Sequence, residues 1–139
     1  MSISRQNLTI VIVTLKSENI IHKCIESIDP NISIVVVENS NDKKFKSELE
    51  SRYQNLKCIL SGSNLGMGAA NNIGIKFAKT DHVFILNPDV TLEKNTLEQL
   101  FLSSKELKEF TILSPINSDL NYPNYKGKKR MSKKTFHFK

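Results

Sequence analysis

Residues 8–13 (LTIVIV) and 32–37 (ISIVVV) constrain the fold of this chain more than any other segment. Each is a short, nearly continuous run rich in β-branched side chains, without the apolar/polar alternation of a strand that has one wet face. A strand built from either run is apolar on both sides, so the sheet that holds it must be covered twice. Residues 56–60 (LKCIL) and 82–86 (HVFIL) are two further strand candidates, and 111–114 (TILS) is a weaker fifth.

Helical periods fill the gaps between these runs. Ile20, Ile21, Cys24, Ile25 and Ile28 fall on one face of a helix capped near Ser17 and stopped before Asp29-Pro30. Phe45 and Leu49 mark a second helix after Asn41-Asp42; Ala70, Ile73 and Phe77 a third after Gly68; Leu97, Leu100, Phe101 and Ser104 a fourth. Strands alternating with single helices over short connections imply βαβ units. The expected fold is therefore a doubly wound α/β domain, a mostly parallel sheet flanked by helices. In such sheets ligands bind at the carboxyl ends of the strands, which directs the search for function to the residues after each one.

With 139 residues and 39% hydrophobic content, one sizeable core can be buried. The apolar period extends through an α/β domain at 1–115 and gives way at 116–139 to polar, turn-forming and basic residues, expected to be a loop or frayed end. The formal charge is +6, yet Lys126, Lys128, Lys129, Arg130, Lys133, Lys134 and Lys139 alone carry seven positive charges, so the first 125 residues sum to −1. A terminal basic run without interleaved aromatic platforms excludes a nucleic-acid binder and leaves peripheral contact with an anionic membrane as a role for the tail. The aromatics Phe136 and Phe138 after the lysines also fit the start of a strand. No run reaches the roughly 20 apolar residues of a membrane helix, and MSISRQ lacks the apolar middle of a signal peptide, so a cytoplasmic protein is expected. Cys24 and Cys58 stand among apolar neighbours in no metal or disulfide spacing and read as buried thiols.

Three strand ends carry chemistry. After the second strand comes Glu38-Asn39-Ser40-Asn41-Asp42, where a carboxylate can accept from a base edge or ribose hydroxyl; alternatively all five residues cap the next helix. Asn64-Leu65-Gly66-Met67-Gly68-Ala69-Ala70-Asn71-Asn72-Ile73-Gly74 opens the third helix with small residues and free amides, suited to an anion; alternatively its glycines only permit tight packing. It fits neither a dinucleotide-binding nor a Walker glycine pattern. After the fourth strand, Leu86-Asn87-Pro88-Asp89-Val90 holds a lone carboxylate in a turn fixed by Pro88, where Mg²⁺ or Mn²⁺ would take one or two carboxylates plus phosphate oxygens; alternatively it is a plain β-turn.

Taken together, IVIVT, VVVENSND, NLGMGAANNIG and FILNPDV, in this order and at these separations, resemble the N-terminal half of the inverting GT-A glycosyltransferases of family 2. The resemblance covers residues 8–115 and is nearest to the rhamnosyltransferase-like subgroup that builds bacterial surface polysaccharides. It implies a truncated GT-A domain that binds a UDP- or dTDP-linked sugar. By resemblance Glu38 contacts the nucleotide base, with Asn39, Ser40 and Asp42 nearby. Thr14-Leu15-Lys16 line the same pocket, Leu15-Lys16 replacing the aromatic or Tyr-Asn usual there. Asn64, Gly66 and Asn72 match the stretch that closes over ribose and diphosphate. Asp89 matches the last carboxylate of the metal-binding DxD motif and Asn87 its first position.

The reaction so implied is direct displacement at the anomeric carbon by a hydroxyl of a glycan or lipid-linked acceptor, at the inner face of the membrane. A carboxylate must deprotonate that hydroxyl. Glu93, Glu98, Glu106, Glu109 and Asp119 sit in no matching motif, so no catalytic base is assigned. The alternative is a truncated or degenerate relative that binds a nucleotide sugar at most. The sheet edge where a second half would pack is expected to be exposed and to favour self-association.

Overall fold

A computed structural model of the chain describes residues 2–107 and 109–114. They fall into two compact units, one spanning Ile3–Lys94 and the other taking in the described residues from Asn95 onward, with Ser2. The basic segment 116–139, with Phe136 and Phe138, lies outside the described residues.

The first unit contains β1 (Leu8–Thr14), α1 (Ile21–Glu26), β2 (Ser33–Glu38), α2 (Lys43–Arg52), β3 (Leu56–Leu60), α3 (Gly66–Phe77) and β4 (His82–Leu86). Its four strands form one sheet in the order β3-β2-β1-β4, and every pairing is parallel. Parallel pairing demands a crossover between neighbours, and right-handed crossovers set α1 and α2 on one face and α3 on the other. This is the doubly wound arrangement that the two β-branched runs require. In β1 Ile10, Val11 and Ile12 are all fully buried although their side chains alternate between faces.

On the α3 face, Val11, Val35, Val37 and Ala70 form the core, with Val13, Ile59, Ile73 and Val83 packed around them. Gly74 permits this closeness. A Cβ there would overlap Val11 Cγ1 and press on Val37 Cγ2 at 3.2 Å, so the helix could not lie at this height with any other residue. The register keeps the strand ends level: Thr14 pairs with Glu38, Glu38 with Leu60, and Ile12 with Leu86. The segments after all four strands therefore issue from one side of the sheet.

Both cysteines are buried and unpaired, as expected. Burial pushes the Cys58 thiol up to about 12. In the second unit α4 (Thr96–Glu106) buries Leu97, Leu100, Phe101 and Ser104, the face expected of it, and Ser103 as well. Residues 111–114 form no strand: Ile112 is 78% exposed, and a β-branched residue without a partner strand has nothing to pair with. Among the described residues no helix is long and apolar enough to cross a membrane.

Candidate functional site

At the carboxyl ends of the strands lies a groove of about 460 Å³. Its polar lining is Asn39, Asn64, Asn87, Asp89, Ser17 and the backbone of Gly66; Val13, Leu15, Ile20, Met67 and Pro88 supply apolar walls. A second cavity of about 360 Å³ lies at the opposite end of the sheet and contains no residue that the sequence points to. The groove is thus the candidate site on both position and content.

Asn39 organises one wall. It follows β2 directly, is buried, and joins three segments: its N–H donates to Thr14 O (2.8 Å), its Nδ2 to Asn64 Oδ1 (3.0 Å), and its Oδ1 accepts from Leu65 N (3.0 Å). Asn64 Oδ1 also accepts from Gly66 N at 3.0 Å, which closes the turn into α3. Gly66 has φ of +76°, a conformation that favours glycine. These bonds start α3 at Gly66, ahead of the expected start after Gly68, and leave the amides of Met67 and Gly68 without an acceptor among the described residues. A Cβ at Gly68 would meet open space. The glycine-rich stretch therefore divides its work: Gly74 serves packing, Gly66 the turn, and Gly68 leaves room above the helix start.

Glu38 does not reach the groove. Its side chain is fully buried, Oε1 accepts from Ser40 N (3.0 Å) and Ser40 Oγ (2.6 Å), and Oε2 accepts from Asp42 N. Both oxygens organise the turn after β2, and Glu38 is not among the residues that line the groove. Asp42 is the N-cap of α2, accepting from Lys44 N at 2.8 Å and Phe45 N at 3.0 Å. Thr14 is fully buried at the end of β1, and its hydroxyl has no partner among the described residues. Thr14, Glu38, Ser40, Asp42 and Asn72 are thus outside the groove lining, whereas Asn39, Asn64, Gly66, Asn87 and Asp89 are brought together in it. Sequence reading passed over Val13, Ser17, Ile20 and Met67. The first two were taken for strand and cap, the third for helix core; the exposure of Ile20 and Met67 is a property of the fold alone.

The opposite wall is the turn after β4, closed by Val90 N donating to Asn87 O at 3.2 Å. Asp89 projects from it, exposed, with no hydrogen bond or ion pair to its carboxylate among the described residues. Burial, reinforced by the Asp89 charge, pushes the Cys24 thiol up to about 11. No group of three or more His, Cys, Asp or Glu side chains able to cage a metal occurs among the described residues. A single free carboxylate beside a groove does fit Mg²⁺ or Mn²⁺, ions that keep several waters and take only one or two carboxylates along with phosphate oxygens.

Residues 9–139 match the model of the family described as glycosyl transferase family 2. The chain belongs to glycosyl transferase family 2. Among family relatives, the low-salt glycan biosynthesis hexosyltransferase Agl10 of Haloferax volcanii is 29% identical over 113 residues, covering 78% of this chain and 36% of that protein. The S. aureus TarS 1-349 structure in complex with UDP-GlcNAc superposes with a TM-score of 0.63 at 22% identity, over 72% of this chain and 31% of that one. The mannosyltransferase PcManGT from Pyrobaculum calidifontis, in complex with GDP-Man and Mn²⁺, gives 0.60 at 17% identity, over 70% and 32%. These likenesses establish the GT-A fold for the family 2 sheet described above. The chain spans about a third of the length of the relatives it matches.

Proposed function

We propose that this chain is the nucleotide-sugar-binding half of a glycosyltransferase, taking a UDP- or dTDP-linked sugar in the groove. The observation that carries the proposal is the free carboxylate of Asp89, facing a groove whose other wall offers Asn39, Asn64 and the open amides at the start of α3. Such amides and the positive end of a helix favour a diphosphate. Asp89, with Asn87 beside it, would hold Mg²⁺ or Mn²⁺, and a cation there supplies charge compensation to the departing diphosphate. Leu15, Ile20 and Met67 form apolar walls for the donor, and Asn64, held in place by Asn39, supplies an amide group for its hydroxyls. Glu38, Ser40, Asp42 and Thr14 act behind them by setting the turn that presents Asn39; Asn72, on the outer side of α3, is left to contacts beyond the groove. The structures named above bind UDP-GlcNAc and GDP-Man with Mn²⁺, which supports a nucleotide sugar and a divalent ion as ligands.

In the whole protein the reaction would be inverting displacement by an acceptor hydroxyl on a glycan or lipid-linked glycan. The rhamnosyltransferase-like motifs favour a role in bacterial surface polysaccharide synthesis, in the cytoplasm at the inner face of the membrane, where the basic tail would meet anionic lipid. A second reading, a chain that binds donor and transfers nothing by itself, is favoured by one observation: among the described residues that line the groove, Asp89 is the only carboxylate, and a metal ligand does not serve as base.

Calorimetric titration of UDP and dTDP, with and without Mn²⁺, into the chain and its Asp89→Ala variant tests the proposal. Metal-dependent binding that the substitution removes is the expected result; equal binding by both proteins would refute the assignment of Asp89. Turnover with an acceptor present then separates transferase from binder.

A further inference from the structure

The turn that carries Asp89 is fastened to α1 at both of its ends. Cys24 donates its S–H to the carbonyl oxygen of Asn87, with Sγ 3.5 Å away. Ser27, just past the end of α1 and one helical turn from Cys24, accepts the N–H of Leu92 on its Oγ at 2.9 Å. The same hydroxyl donates to Cys24 O at 2.7 Å, so its one proton is committed and its lone pairs point to the turn. Leu92 is itself buried, which seats the far end of the turn in the core. Residues 87 and 92 are thus held from below, while Asp89 between them stays exposed and unbonded among the described residues.

We infer that Ser27, assisted by Cys24, is a positioning residue that fixes the Asp89 carboxylate at the height where it meets a metal-bound diphosphate. The inference rests on the reading of Asp89 as metal ligand. A carboxylate on a slack loop must be ordered when its ligand arrives, and that cost lowers affinity; a turn tied down beforehand has already met it. Neither Ser27 nor Cys24 needs to touch the ligand for this to hold.

The test uses the full 139-residue chain with Mn²⁺ and UDP as probes. Ser27→Ala is expected to weaken Mn²⁺-dependent UDP binding about tenfold and to speed amide hydrogen exchange at Leu92. Ser27→Thr, which keeps the hydroxyl, is expected to restore binding to within about twofold, a rescue that a loss of general packing would not show. Cys24→Ala, which frees only one end, should weaken binding about threefold, and it serves where Ser27→Ala fails to fold. If the chain binds UDP with Mn²⁺ through Asp89 and Ser27→Ala or Cys24→Ala binds as tightly as the parent, or Ser27→Thr fails to rescue, the inference is wrong and the reading of Asp89 survives. If the parent chain shows no binding that depends on Asp89, that reading fails and the inference falls with it.

Discussion

In the β2–α2–β3 flank of the sheet, Glu38, Asp42 and Glu50 all accept hydrogen bonds from nearby backbone; in the β4 flank, Asp89 accepts none among the described residues. The edges of the sheet follow suit. On β3 the outward-pointing backbone of Cys58 is covered by α2, its N–H by Glu50 Oε1 at 3.0 Å and its carbonyl by Lys46 Nζ. On β4 Ile85 stands 47% exposed. The first flank uses its acids to hold itself together, and the second leaves its acid exposed. Carboxylates after equivalent strands are therefore engaged on one flank and left open on the other, and what decides is whether the backbone folds back to meet them.

That contrast can be broken most forcefully at Glu38. Glu38→Ala leaves three partly buried donors without their acceptor and is expected to cost about 3 kcal/mol in urea-unfolding free energy; a loss below ~1 kcal/mol would mean the turn does not depend on it. Next comes Glu50. The hydrogen bond from Cys58 N–H, opposed by burial and aided by Lys46 and Lys57, holds its carboxyl down to about 2 from an ordinary 4.5. A depressed carboxyl contributes stability that is present above its unfolded value and lost as pH falls through its folded one. Glu50→Gln is accordingly expected to cost about 1 kcal/mol at neutral pH. The gap between variant and parent should close as pH drops from 4.5 toward 2, and a gap independent of pH would detach the β3 edge from this carboxylate. The smallest effect belongs to the open flank: Ile85→Lys should leave stability within about 0.5 kcal/mol. Size-exclusion chromatography over a dilution series would then read whether the exposed face drives self-association, with the variant eluting later than the parent if it does.

The strands β1 and β2 were legible almost to the residue, because a β-branched run buried on both faces has few other ways to fold; the weaker run at 111–114 formed no strand. Helix faces were legible in α2 and α4, whereas Ile20 and Phe77, expected on buried faces, stand 46% and 45% exposed; helix starts were less legible. The start of α1 falls at Ile21, with Ile20 as its N-cap, rather than near Ser17, whose carbonyl accepts from both Ile20 N and Ile21 N and whose hydroxyl bonds Leu15. The start of α3 depends on Asn39, 26 residues before Leu65, a contact that no local pattern encodes. At the groove, the place of Asp89 in its lining was legible because its turn has a readable sequence. The inward turn of Glu38 was not, since NSND suits a cap and a ligand contact equally well, and only the folded backbone chooses.

Gly74 carries a consequence for how sequences of this kind can drift. Val11 and Val37 occupy the space where any side chain at position 74 would go, so that position has only one admissible letter as long as the helix keeps its height above the sheet. A lineage could replace it only by shrinking Val11 or Val37 in the same step, or by lifting α3 and with it the backbone of Gly66 and Met67 that borders the groove. Drift at a residue with no functional group of its own would then be felt first as a change in what the groove accepts.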